Sequence, residues 1–552
     1  MAGALAIAPF VFVNGSFDPA NLPQSAWVQV WGLGLAAWAL ARAARIGSSP
    51  ADLPLALLVA WGAASLAWAT SRGDAVPVLL QWIACGAWFV AVSRTITEPS
   101  AGRVLAVALF ASGAAVALIG LAQYFFGLTV FYQAFPPAST FVNKNIAAQY
   151  VVGTLPLGLA VRPAWRTPVR PGVGVAIVAA AVLMTVFLVV ARTRSAWVAA
   201  VVEIAVVCWL IVPDRRRSTR VLLVVAATVV AAALAWAGAS RPAMPATGDA
   251  TPPAFTSVQA RRAIWLNTTA MIADAPLRGV GLGNHAVHYP AYARRVAVDP
   301  VFSAQRQLDH VHNDPLQLAA ETGLVGLALA AWVALRGLGL WRVAARDHAS
   351  SPLLAAWLAA AAGLAADSLF SFPMQRALPP VMLAVGLGTV AGLAGLRSGR
   401  GVAPARLLAA TAAVAAILVG VHRCRALEAD RHLGAMIGAE GHDDWRGVRD
   451  EAEAALRLTP ADPLALFGLG AAELSRGRIP EARAAFRRLL VEHPHDLPAL
   501  GNLALAEMAE GNDAGALEAW DRVLALDPRD PRAQAGRAAV LARIAAPTRR
   551  SN

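Results

Sequence analysis

Apolar runs of about 16 to 23 residues, the length that carries an α-helix across a bilayer, recur along this chain between short arginine-bearing segments. They fall near 26–40, 53–69, 76–92, 104–126, 146–161, 173–190, 196–211, 221–236, 316–335, 353–370, 381–396 and 407–421. A shorter run over 4–13, followed by polar Asn14 and Ser16, is expected to be an uncleaved first span. The pattern predicts an all-α, polytopic membrane domain over 1–424 with about 12–13 spans. A long polar loop at 238–314 interrupts it.

Orientation follows from the arginines, because basic residues in short loops stay on the cytoplasmic side. Alternate loops carry Arg42 and Arg45; Arg94 and Arg103; Arg162, Arg166 and Arg170; Arg215, Arg216, Arg217 and Arg220; Arg336, Arg342 and Arg346; Arg397, Arg400 and Arg406. The intervening short loops hold Arg72, Lys144, Arg192, Arg194 and Arg376. This phase puts the 238–314 loop, and everything after 421, outside the cytoplasm.

Composition agrees with that pattern and removes one alternative. Hydrophobic residues make up 57% of the 552 residues and charged ones 15%, too apolar for a water-soluble globule. The net charge of +13 would suit nucleic acid, but the inner-loop arginines account for most of it as topology determinants, so no nucleic-acid partner is expected. The three cysteines, Cys85, Cys208 and Cys424, form no disulfide framework and no metal-ligand spacing.

After the last span the pattern changes to charged, alanine-rich amphipathic helices. Gly477 and Gly511, Ala482 and Ala516, Phe486 and Trp520, Pro494 and Pro528 are each 34 residues apart, as are Leu469 and Leu503. That is the tetratricopeptide period. Ala452 and Pro460 mark an earlier, worn repeat, and a closing helix is expected near 532–544. The 425–545 stretch therefore predicts a short α-solenoid with a tail at 546–552. Such a solenoid recognises a partner, here one outside the cytoplasm in the cell envelope, or supports assembly, and by itself implies no chemistry.

Acid/base chemistry concentrates where the long loop re-enters a span, at His310-Val311-His312-Asn313-Asp314-Pro315 running on to Glu321. Asp314 and Pro315 predict an N-cap and first turn, with Asp314, Gln317 and Glu321 on one helix face. His312 and Glu321 are the candidate catalytic groups. Cationic residues come to the same water boundary from distant segments: Lys144, the single lysine of the chain, flanked by Asn143 and Asn145; Arg194 in Thr193-Arg194-Ser195; and Arg261 with Arg262, opening an amphipathic helix from Ser257 to near Ala273. Guanidinium groups facing a His, Asn, Asp and Glu cluster suit a lipid pyrophosphate whose tail lies in the bilayer, since arginine presents paired donors to phosphate oxygens. Gly279, Gly281 and Gly283 form a turn that needs unusual backbone angles, and His285 and His288 read as packing or surface histidines. A metal site on Asp309, His310, His312, Asp314 and Glu321 is not favoured, because the arginines already neutralise an anion.

Five motifs in order complete a pattern: Phe141-x-Asn143-x-Asn145, Thr193-Arg194-Ser195-Ala196-Trp197, Arg261-x-x-x-Trp265, Pro276-Leu277-x-Gly279-Val280-Gly281-x-Gly283-Asn284, and His312-Asn313 through Glu321-x-Gly323-x-x-Gly326. Across roughly 100–380 the chain resembles the O-antigen ligase and polymerase family of bacterial envelope enzymes. The resemblance implies a multi-pass glycosyltransferase of the bacterial inner membrane, independent of metal and cofactor. Such an enzyme passes a glycan from undecaprenyl pyrophosphate to an acceptor hydroxyl on the outer face, with inversion. It casts His312 as base, Arg194 and Arg261 as the pyrophosphate clamp with Arg262 and Lys144 beside them, and Asn143, Asn145, Asn313 and Asp314 as further substrate-binding groups. A polysaccharide polymerase or a protein O-oligosaccharyltransferase of the same family is the nearest alternative. A lipid-linked glycan transporter would instead place its ionisable groups near mid-membrane, and a tetratricopeptide scaffold would need none.

Overall fold

Each apolar run that falls on described residues is helical, for the reason that a helix alone satisfies its own backbone in lipid. The computed structural model describes residues 1–42, 47–165, 167–211, 257–300, 302–303, 310–348, 351–395 and 403–545. The span expected over 221–236, and with it Arg215, Arg216, Arg217 and Arg220, lies outside them, as do Arg45, Arg166, Asp309, Arg397, Arg400 and the 546–552 tail.

The membrane domain runs α1 (Ala2–Ile7), α2 (Asn21–Arg42), α3 (Asp52–Ser65), α4 (Arg72–Thr95), α5 (Pro99–Phe126), α6 (Lys144–Thr154), α7 (Pro171–Ala191) and α8 (Arg194–Ile211). It continues with α9 (Ser257–Asp274), α10 (His285–His288), α11 (Asp314–Asp347), α12 (Pro352–Ser368), α13 (Leu378–Leu393) and α14 (Ala403–Glu440). Five of these helices are long and apolar enough to cross a membrane: Arg72–Thr95, Pro99–Phe126, Pro171–Ala191, Asp314–Asp347 and the Arg406–Glu440 part of α14. Shorter apolar helices, α3, α12 and α13, pack among them. Prolines open α5, α7, α11 and α12 at positions where the missing N–H costs nothing.

Helix α2 lies between α4 and α14, α4 lies against α13, α8 against α12, and α3 against α11. Trp88, Phe89, Tyr150, Met184 and Phe187 are fully buried in the resulting core. The apolar window of α7 is only 17% buried, with Val175, Val178 and Val182 exposed, a surface that water would not tolerate and hydrocarbon does. The 4–13 run departs from expectation. Helix α1 has six residues and a 3-10 turn, Ala8–Phe10, adds three, too short to cross a bilayer that needs about 20. It lies instead against α5 and α2, where Ser112 and Trp27 donate to the Ala6 and Ala4 carbonyls.

The solenoid follows as α15 (Trp445–Leu458), α16 (Pro463–Ser475), α17 (Ile479–Glu492), α18 (Leu497–Ala509), α19 (Asp513–Leu526) and α20 (Pro531–Ala545). Its repeat is visible in single hydrogen bonds. Asp462, Asp496 and Asp530, spaced by 34, accept from the N–H of Ala465, Ala499 and Ala533 and so start α16, α18 and α20 alike. Phe486 and Trp520 fill equivalent buried positions. The boundary expected at 424/425 falls inside α14, whose 38 residues run unbroken from the membrane into the solenoid and pack against α15. Hydrophobic periodicity changes there while the backbone continues.

The solenoid does not project freely. Arg294 pairs with Asp527 at 2.6 Å, and His493 lies 3.5 Å from Asp74. Ile264, Tyr289 and Phe302 share one apolar cluster with Leu497, Leu500 and Trp520.

Candidate active site at the start of helix α11

Helix α11 begins one residue earlier than expected. Asn313, with φ −160° and ψ 101°, is its N-cap: its side-chain oxygen accepts from Leu316 N–H at 2.9 Å and its amide donates to the Leu369 carbonyl at 3.0 Å. Asp314 becomes the first helical residue, and its carboxylate turns aside to accept from Met374 N–H at 3.0 Å. The shift follows from extended geometry at Asn313, which puts the amide rather than the carboxylate over the free N–H groups.

Two turns on, α11 breaks. Gly323 has φ 70° and ψ −177°, and a Cβ there would collide with the Leu277 carbonyl. The break frees backbone groups, which the Pro276–Asn284 turn satisfies. Val280 and Gly281 donate to the Ala320 and Glu321 carbonyls, both at 2.9 Å, and Leu324 N–H donates to the Pro276 carbonyl at 2.8 Å. Gly279, Gly281 and Gly283 all have positive φ, which is why this turn can lie so close to the helix. Glu321, 2% exposed, secures it: Oε2 accepts from Gly283 N–H and Oε1 from the Gln317 amide, each at 2.9 Å. The carboxylate expected to be catalytic is thus engaged in fixing backbone.

His312 is held in the left-handed region, at φ 57°. A side-chain-bearing residue adopts that conformation only where its surroundings over-determine it. Here Val311 is gripped on both sides: its N–H donates to Gln317 Oε1 at 3.2 Å and its carbonyl accepts from Trp265 Nε1 at 3.1 Å. Trp265 stands one turn beyond Arg261 on α9, so the spacing of Arg261-x-x-x-Trp265 delivers the guanidinium and the backbone anchor together. Phe372 is the floor of the site. The His310 ring stacks on it at 4.6 Å, the His312 ring meets it edge-on at 4.9 Å, and the Arg376 guanidinium lies 4.8 Å from its centroid.

Electrostatics set the protonation states. Burial first, then Arg261 and Arg376, bring the His312 imidazole down to about 4. Burial, Arg376 and the neighbouring histidines hold His310 well below its ordinary value. Burial and His288 bring His285 to about 3. All three imidazoles are neutral at pH 7, so His312 can accept a proton. Burial and the nearby Arg194 depress Arg261, with Asp367 acting in the opposite direction, which leaves an arginine that is charged and in electrostatic reach of both.

The remaining expected residues divide into two groups. Asn143 caps α6 by accepting from Asn145 N–H at 2.9 Å, and Asn145 accepts from the Thr193 hydroxyl at 2.9 Å. The Asn143-x-Asn145 motif therefore ties the α6 start, and Lys144 with it, to the turn carrying Arg194, the exposed first residue of α8. Arg192 is the charge that bears on Lys144. Of the Arg261 and Arg262 pair, Arg261 faces Arg194, Asp367 and His312, and Arg262 is exposed. His285 is fully buried against the Tyr289 ring, and His288 bonds to the Thr70 hydroxyl at 3.0 Å, as packing histidines do. Among the described residues no group of three or more His, Cys, Asp or Glu side chains is placed to hold a metal ion.

Sequence reasoning passed over Asp367, Phe372 and Glu203, and placed Arg376 only among the residues of the short outer loops. Asp367 and Glu203 are buried acids in apolar helices α12 and α8, and that alone was an available signal. Asp367 faces Ser195 and Arg261, yet among the described residues neither oxygen has a donor at hydrogen-bond geometry.

The stretch holding Arg194, Arg261, His312 and Glu321 decides the class, since residues 179–331 match the family model described as O-Antigen ligase. The chain carries an O-antigen ligase family domain. A tetratricopeptide repeat model matches 473–540, within the solenoid. No curated protein matches the chain. The O-antigen ligase match supports a membrane glycosyltransferase of the ligase or polymerase type. Asn143-x-Asn145 lies before the matched stretch, and Asp367, Phe372 and Arg376 lie after it.

Proposed function

We propose that this protein transfers a glycan from undecaprenyl pyrophosphate to an acceptor hydroxyl, at the outer face of the bacterial inner membrane. The observation that carries the reading is His312, held in a strained backbone conformation against Phe372, with Arg261 and Arg376 in electrostatic reach. A neutral imidazole beside cations suits a base that acts next to an anionic leaving group.

The acceptor oxygen attacks the anomeric carbon of the donor sugar as its proton passes to His312. The bond from that carbon to the pyrophosphate oxygen breaks, and the electron pair leaves on undecaprenyl pyrophosphate. Attack opposite the leaving group inverts the anomeric centre. Arg194, Arg261 and Arg376 take up the charge that grows on the leaving pyrophosphate, so the step needs cations more than a general acid. Lys144, Asn313 and Asp314 are assigned to the donor's surroundings, and Arg262 is the weakest member of the clamp because Arg261, not Arg262, is in electrostatic reach of Arg194 and His312. No cofactor enters this scheme, and the arginines supply the counter-charge a metal would otherwise bring.

Polysaccharide polymerisation and transfer to a protein hydroxyl use the same chemistry and differ in acceptor. Reconstitution with a defined lipid-linked oligosaccharide, followed by identification of the new attachment at the glycan's reducing end, tests the proposal. Formation of a glycosidic bond with release of undecaprenyl pyrophosphate supports it. Movement of the intact lipid-linked glycan across the bilayer without a new bond would make the protein a transporter. Transfer that stops on adding a chelator and returns with one divalent metal would remove the metal-independent scheme.

A further inference from the structure

Ser71 and Glu492 lie 421 residues apart and their side chains meet. The Ser71 hydroxyl donates to Glu492 Oε2 at 3.0 Å, and Gly73 N–H donates to the same oxygen at 3.3 Å. A solenoid residue therefore helps cap α4, whose own N-cap is Ser71. Ser71 is in turn gripped by Asn284: its N–H donates to Asn284 Oδ1 at 2.7 Å, and Asn284 Nδ2 donates back to its carbonyl at 2.9 Å. The residue before Asn284, Gly283, donates to Glu321, which accepts from Gln317, which accepts from Val311 N–H beside His312.

We propose that Glu492 is a positioning residue for His312, acting through Ser71, Asn284, Glu321, Gln317 and Val311. The proposal rests on the reading of His312 as the base. Ser71, Asn284 and Val311 are fully buried, and Gln317 and Glu321 are 3% and 2% exposed. Water cannot replace a lost link along such a chain, so a displaced member passes its displacement on. At its far end the chain holds the Val311 N–H, one residue from the positive φ of His312, and the stacking of His310 on Phe372 is the other hold on that side. The Arg294–Asp527 pair and the apolar cluster around Tyr289 and Leu497 keep the solenoid docked independently of Glu492. The solenoid thereby becomes part of the chemical step, in contrast to the partner-recognition or assembly role its repeats suggest.

The test uses the full-length protein in lipid nanodiscs with a defined lipid-linked oligosaccharide and acceptor. Glu492→Ala should lower kcat about tenfold with the donor KM little changed, because geometry at the base rather than donor binding is disturbed. Glu492→Gln should restore kcat, since its amide oxygen still accepts from Ser71 and Gly73. Asp527→Ala, which breaks the neighbouring docking pair outside the chain of bonds, should leave kcat unchanged. An equal loss in Asp527→Ala, or failure of glutamine to rescue, would overturn the proposal. Carbethoxylation of His312 by diethyl pyrocarbonate, followed by peptide mass spectrometry against pH, reports its environment without turnover. A Glu492→Ala profile identical to wild type removes the coupling. A shifted profile with unchanged kcat keeps the coupling and removes His312 as the base. A thermal midpoint close to wild type in each variant confirms that the fold is intact.

Discussion

Glu321 and Asp367 are both buried acids in the membrane domain, and they are completed differently. Glu321 has a donor on each oxygen, from Gly283 and from Gln317. Asp367 faces Ser195 and Arg261 with no donor seated on either oxygen among the described residues. A carboxylate satisfied by backbone and amide groups belongs to the frame, whereas one left open beside a cation and a hydroxyl is poised toward what enters the site. The difference teaches that burial and charge alone do not pick out the reacting groups of a membrane enzyme. The state of their hydrogen bonds is what sets these two acids apart.

The largest expected effect lies at His312. His312→Ala should cost at least about 100-fold in turnover while donor binding and membrane insertion persist, the loss usual for a positioned base. Retention of more than about a tenth of wild-type turnover would remove that role. Next come the cations: Arg261→Lys and Arg194→Lys should each lower transfer by about tenfold although charge is kept, because a single ammonium cannot reproduce the guanidinium fork. Arg262→Lys, at a position outside the reach of His312 that Arg261 has, should change little.

The comparison itself is sharpened by a pair of substitutions. Glu321→Gln sets an amide N–H₂ against the Gln317 amide and should cost about 1–3 kcal/mol of stability, read as a lowered thermal midpoint. Asp367→Asn should leave the midpoint unchanged or raise it, since a buried carboxylate with no donor at full hydrogen-bond geometry becomes a neutral amide, while lowering transfer. The reverse pattern would exchange their assignments.

The smallest effect concerns pH. His285, His310 and His312 all have folded-state values depressed below the ordinary imidazole range, His312 to about 4 and His285 to about 3. The unfolded chain therefore binds protons first as pH falls. Their contribution to stability is fully present above about 6.5 and is lost progressively on descending toward 4 and below, which thermal melts across that window would show. Turnover should follow the same sign: bound pyrophosphate brings negative charge near His312 and raises its value, so the acid limb of kcat should lie at higher pH than that of kcat/KM.

Much of this was legible along the chain, and the remainder follows a physical division. The spans were legible because hydrocarbon imposes one length and one backbone solution. The repeats were legible because a 34-residue period returns Asp462, Asp496 and Asp530 to one structural position. His312 and Arg261 stood out because each sits in a motif whose partners are near in sequence. The break at Gly323 was hidden, because its cause is a turn about 40 residues earlier that supplies the missing hydrogen bonds. Asp367 and Phe372 were passed over because nothing local ties them to His312; only the packing of α8, α12 and the Phe372 turn brings them there. The contact between Ser71 and Glu492 has no local signature at all.

The unbroken course of α14 gives this architecture a direction in time. Glu492 is made 180 residues after His312, and α14 is the route by which it is carried to Ser71. A nascent chain can thus complete its membrane helices and gather its cationic residues well before the brace behind its imidazole arrives. Chains arrested short of Glu492 should bind donor and turn it over poorly, so that full transfer begins only when synthesis has reached the solenoid.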